Sequence, residues 1–180
     1  MKNFRKLGDH LLLDFCNTWI KHADHEEELL ESGQDLSDWS KEFLNLKTEL
    51  TARQFTQIKE LRDHLRKHFE RLVAGKIKVS ADFISFLSHQ PLHIEQAQTG
   101  TLSLQHASPL MGRLLESFYT FSQTLDPQRL KQCTNPNCSH LFYDISKNNR
   151  RQWCSMQSCG NVMKARAFYA RKKLQKESHE

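Results

Sequence analysis

Four of the chain's five cysteines fall in one window, Cys133-x4-Cys138-x15-Cys154-x4-Cys159, and no other feature limits the fold so tightly. Two close pairs separated by a loop suit a structural zinc site, in which each pair sits on a tight turn and four thiolates close a tetrahedron around one ion. The first pair encloses Thr134, Asn135, Pro136 and Asn137, turn formers that let two sulfurs converge on a metal at about 2.3 Å. The second pair runs straight into a helical sequence. Two disulfides are the rival use of the same cysteines. The opening MKNFRKLGDHLLLDF has only a short apolar run before Asp14 and does not read as an export signal, so the expected location is cytoplasmic, where disulfides are uncommon. His140 is a further candidate ligand, but with four cysteines correctly spaced it reads as a surface or packing residue.

The window of about fifty residues has few large apolar side chains, too few for a core of its own, so a single structural Zn2+ is expected to be a condition of folding. Between the pairs, His140 to Asp144 reads as a strand, Ser146 to Arg150 as a polar turn and Arg151 to Cys154 as the returning strand. The order is knuckle, β-hairpin, knuckle, helix, which is the layout of a treble-clef finger.

Charge marks the same end of the chain. Residues 129–176 hold eleven Lys or Arg against one acid, Asp144, whereas residues 1–128 hold 15 basic and 18 acidic groups. So localised a field argues for a polyanionic partner there. On the terminal helix, Lys164 and Arg171 share one line and Arg166 and Lys173 another; Lys172 adds to them, and Lys147, Arg150 and Arg151 on the turn offer a second anchor. Met163, Ala167, Ala170 and Leu174 form a stripe expected to pack on the hairpin or on the rest of the protein. A merely solvated helix is the bland alternative, disfavoured because no acids interleave the cations.

The rest of the chain reads as mainly helical with a small β element, giving an α+β protein with a first domain over 1–127 and the finger over 128–180, divided at Asp126-Pro127. A short apolar element lies in residues 4–20, where Asp14, Asn17 and Thr18 offer caps, and the acidic stretch 21–36 suits a solvated helix and loop. Ser37 or Asp38 then caps a helix through Leu46. Thr51 caps a second, whose apolar face is Phe55, Ile58, Leu61, Leu65, Phe69 and Leu72, with Lys, Arg and Glu opposite, and which Gly75 stops. A short helix follows Ser80, a hairpin split by Gly100 spans 92–106, and a helix runs from Pro109 to about Leu125. No stretch approaches the roughly 20 apolar residues of a membrane span.

The run from Arg150 to Asn161, followed by Lys164-Ala165-Arg166, resembles the CGNR-type zinc finger, and Cys133-x4-Cys138 with Leu141-Phe142-x-Asp144 fits its first half. The opening Leu12-Leu13-Asp14-Phe15-Cys16-Asn17-Thr18 is similar to the start of the ABATE domain that accompanies this finger. The resemblance implies zinc ligation by Cys133, Cys138, Cys154 and Cys159, binding of double-stranded DNA, and an amino-terminal domain that senses a small-molecule effector, in stress-induced bacterial transcription regulators. Two positions depart from the motif: Val162 replaces its name-giving arginine, and Gln152 a second arginine beside Trp153.

Enzymatic readings find little support. His64 and His68 lie one helical turn apart without the glutamate of a metalloprotease motif, and read as surface histidines; Cys16 reads as a buried small residue; no phosphate-cradling glycine loop exists. Asp14, Asn17 and Thr18 could line an effector pocket or serve as caps. The expectation is therefore a non-enzymatic DNA-binding regulator, with an RNA-binding zinc protein and a zinc-stabilised protein-interaction module as alternatives. A homodimer would suit paired half-sites.

Overall fold

The computed structural model describes residues 2–96 and 98–177, six α-helices and three two-stranded antiparallel sheets among them. The α+β expectation holds. At the centre is a helix of only six residues, α1 (Leu11–Cys16), in which Leu12, Leu13, Phe15 and Cys16 are all fully buried. Its cap is His10, whose Nδ1 accepts the Leu12 amide at 3.2 Å; Asp14 lies inside the helix and Asn17 ends it.

Around α1 pack α2 (Gly33–Leu44), α3 (Ala52–Val73) and α5 (Pro109–Thr124), with Leu36, Trp39, Ile58, Leu61, Leu65, Phe69, Leu110 and Leu114 in one cluster. Thr51 forms a capping box with Gln54, as its spacing predicts, and Gly75 ends α3 at φ 75°. α2 starts earlier than expected, because Ser32 forms a complete capping box with Asp35 that Ser37 and Asp38 do not supply. Ser80 caps α4 (Ala81–Ser88), β3 (Leu92–Gln96) and β4 (Leu102–His106) make the expected hairpin, and Ser108 caps α5 with proline in its first turn.

The acidic stretch corrects the sequence reading. In place of a solvated helix, β1 (Trp19–Lys21) pairs with β2 (Glu26–Glu28). Glu28 is drawn in by Arg62, whose Nη1 and Nη2 donate to it at 2.6 and 2.8 Å, and this long-range pair outweighs local helix preference. Arg62 and Arg66 are themselves only 2% and 4% exposed, not on the solvent face of α3. Arg66 donates to the carbonyls of Cys16, Trp19 and Ser139, satisfying chain ends that α1 and its neighbours leave open. His68 is also buried, set among Phe69, Phe83 and Phe118.

The core runs on into the cysteine window. β5 (Leu130–Gln132) pairs with β6 (Leu141–Tyr143), and Leu130 and Leu141 belong to the same cluster as Leu12 and Phe15. Asn17 clamps β6 from both sides, its amide donating to the Leu141 carbonyl at 2.8 Å and its oxygen accepting the Leu141 amide at 2.9 Å. Tyr143 donates its amide to Gly8. Gly8 has no room for a side chain: a Cβ there would lie 2.7 Å from Leu13 Cβ and 2.9 Å from the Asp14 amide nitrogen. Gly8→Ala is expected to cost about 1–3 kcal/mol in a denaturant titration, because backbone must move to relieve the clash. Among the described residues, no helix is long and apolar enough to cross a membrane.

Candidate metal centre and basic helix

Cys133 leaves β5 with its amide bonded to the His140 carbonyl, and the chain turns back through Asn135, whose side-chain oxygen accepts the Asn137 amide at 3.1 Å. That turn carries Cys138 to the same point. Cys154 and Cys159 flank a second turn, in which Ser155 accepts the Ser158 amide and a π-turn (Met156–Gly160) opens into α6 (Asn161–Glu177). A Cβ at Gly160 would stand 2.6 Å from Met156 Sδ, which that exposed side chain could relieve by swinging away, and 3.3 Å from Trp153 Cε3.

The four Sγ atoms all lie within 4.8 Å of one another, with Cys138 to Cys154 and Cys154 to Cys159 both at 3.7 Å. A tetrahedron of sulfurs at about 2.3 Å from one ion has edges of about 3.8 Å, so the set fits one structural zinc ion. Two disulfides would need sulfur separations of about 2.05 Å and would not draw all four thiols to a single point. His140 is buried beside this centre, with Nδ1 3.3 Å from Cys138 Sγ. Burial pulls its pKa down to about 4, the positive charge of Arg66 adding to the effect.

The predicted return strand at 151–154 is not formed. β6 pairs instead with β5, so the hairpin embraces the first knuckle rather than lying between the two. The reason is Asp144, which takes the Arg151 amide at 2.8 Å and the Lys131 ammonium at 2.6 Å, leaving 151–154 as an irregular strap held by side chains.

Arg151 is part of that strap. Its guanidinium lies 4.4 Å from the Phe142 ring centroid, donates to the carbonyls of Trp153, Cys154 and Leu7, and pairs with Asp9. It is thereby turned inward, away from the role in anion contact that the sequence suggests. Lys147, Arg150, Lys164, Arg166, Arg171, Lys172 and Lys173 are all exposed. Of the stripe of Met163, Ala167, Ala170 and Leu174, Met163 in the first turn of α6 is half-buried and the other three are exposed. Sequence periodicity defines such a stripe but says nothing of whether a surface lies opposite it.

Asp14, Asn17 and Thr18 are buried and internally engaged. Asp14 accepts the Leu7 and Gly8 amides, and burial pushes its pKa up to about 6 against their pull. Thr18 donates to the Phe15 carbonyl and accepts from Arg62. Of the three, Asn17 borders a groove of about 530 Å3 that also touches Arg5, His22, Glu27 and His140. Arg62 and Arg66 escaped the sequence reading, although at about 100° per residue Arg62 falls inside the apolar arc that runs from Leu61 through Ile58 and Phe69 to Phe55.

Comparison with known families agrees with this geometry. The CGNR zinc finger model matches residues 129–172, and the ABATE model, described as "Putative stress-induced transcription regulator", matches residues 9–116. A search of curated proteins gave no match. Matched by the ABATE model over more than half its length, and with its four clustered cysteines inside the CGNR match, the chain belongs to the ABATE family and carries a CGNR zinc finger.

Proposed function

We propose that the protein is a transcription regulator that binds double-stranded DNA through its zinc-held basic helix. The observation that carries this reading is α6 itself, where Lys164, Arg166, Arg171, Lys172, Lys173 and Lys176 stand exposed with no acidic residue before Glu177. Like charges so concentrated repel one another and lower the stability of an isolated helix, so they call for a polyanion. Zinc supplies the other half: it fixes the turn from which α6 projects, so the cations meet their partner on a rigid base.

The remainder of the chain is read as the effector-sensing part. A groove of about 690 Å3 bordered by Asp9, His10, Arg113, Phe121 and Tyr143 suits that role, because Asp9 pairs with Arg151 of the zinc strap. A small molecule there would touch the join between sensor and finger.

The test is a salt series with zinc-loaded full-length protein on random-sequence duplex. For about six phosphate contacts, log affinity should fall against log salt with a slope near about −5. Lys164→Ala or Arg171→Ala should lower that slope by about one and leave zinc stoichiometry unchanged. Tight binding of structured RNA with none of duplex DNA would favour an RNA-binding protein. No salt-dependent binding of either would favour a protein-interaction module.

A further inference from the structure

The cations of α6 divide its surface into two faces. At about 100° per residue, the Lys164 and Arg171 line lies roughly 160° from the line of Arg166 and Lys173. One face between them holds Met163, Ala167, Ala170 and Leu174, of which only Met163, at its foot, is half-buried. The other face holds Ala165, Phe168, Tyr169, Lys172 and Lys176, and is the more positive of the two.

On this second face Phe168 is 54% and Tyr169 67% exposed, their rings meeting each other at 5.6 Å. A phenylalanine ring gains nothing from phosphate charge. If the face meets a polyanion, the ring must touch whatever apolar group that polyanion presents, and in duplex DNA the major groove presents one, the 5-methyl of thymine. The dimensions agree: a helix about 10–12 Å across fits a groove about 12 Å wide, with a cation line toward each flanking phosphate strand and the midline toward the base edges. Asn161, at the foot of the face, gives its side-chain amide to the Gln157 carbonyl. Above it, Phe168 and Tyr169 flank a midline of Ala165 and Lys172, with Gln175 at the edge beside Phe168; Lys172 and Gln175 offer hydrogen-bond donors to base edges, and the apolar contact is what Phe168 and Ala165 themselves supply.

Resting on the duplex-DNA reading above, we propose that α6 enters the major groove and that Phe168, with Ala165, recognises thymine methyl groups, giving the protein a preference for A·T steps.

The test compares two duplexes of identical sequence, one with thymine and one with uracil at every such position, using zinc-loaded full-length protein. Wild type should bind the thymine duplex tighter by about fourfold for each methyl contacted. Phe168→Ala should shrink that difference to the share that Ala165 contributes and keep the salt slope, since no phosphate contact is lost. Lys164→Ala should do the reverse. Both positions are exposed, and zinc stoichiometry checks that each variant folds. Equal affinity of wild type for the two duplexes would overturn methyl recognition while leaving DNA binding intact. Tighter binding of the corresponding single strand would overturn it in favour of base stacking on the aromatic pair, and absence of any duplex binding would remove the underlying reading as well.

Discussion

Stripping zinc from the protein is expected to unfold α1 and α3 together with the finger, in a single transition. In isolated zinc-finger peptides the ion contributes about 10–16 kcal/mol of apparent folding free energy, as large as the whole stability of an ordinary domain. Here that contribution reaches far beyond the cysteines. Leu130 and Leu141 are 3% and 0% exposed and pack in the cluster with Leu12, Phe15 and Phe69, so β5 and β6 form one wall of the main core. Asn17 loses both partners if β6 departs, and Arg66 loses the Ser139 carbonyl, each leaving buried polar atoms unsatisfied. Chelation, or Cys154→Ser, should therefore lower Tm by more than about 20 °C. Amide hydrogen exchange locates the effect: protection should vanish in α1 and α3 as well as around the cysteines. Persistent protection of α1 and α3 after zinc loss would show that the finger unfolds by itself.

Sequence chemistry that acts over a few residues was legible in this chain. Thr51, Ser80 and Pro109 start their helices where capping rules place them, Gly75 and Gly100 take the positive φ of their turns, and the cysteine spacing identifies a set of sulfurs that the fold gathers within 4.8 Å. What escaped depends on partners far along the chain. Glu26 to Glu28 is a poor strand by composition and becomes one because Arg62 waits for Glu28. Asn17, flagged as a cap or a pocket residue, is the clamp on Leu141, 124 residues away. Arg151 looks like another cation of a basic run, but Phe142, Asp9 and three carbonyls claim it. A single acid among eleven cations, Asp144, could have been the warning: an isolated carboxylate in such a field is well placed to organise it from inside.

Replacing Asp144 tests that organising role. Its side chain is fully buried, 0% exposed, and it accepts from the Lys131 ammonium, the amides of Ser146 and Arg151, and the Ser146 hydroxyl. Burial alone would push its pKa up; Lys131, Ser146 and the two backbone amides outweigh that and hold the carboxyl well below its ordinary 3.8. Asp144→Ala should cost about 3–5 kcal/mol, because it strands the Lys131 charge and leaves the Arg151 amide without its acceptor. For a chain of this size that is a fall in Tm of about 10 °C. Since the folded pKa lies below the unfolded one, the carboxylate's contribution is complete above the ordinary value and fades only as pH falls below it. The gap between wild type and Asp144→Ala should therefore be constant from about pH 8 to about pH 5 and shrink only below about pH 4, followed by denaturant titration at each pH. A gap that changes steadily between pH 5 and 8 would mean that another group sets it. Pairing Lys131→Met with Asp144→Leu should recover the portion due to the stranded charge but not the portion due to the Arg151 and Ser146 donors, and the size of that remainder measures how much of the 151–154 strap this one carboxylate holds in place.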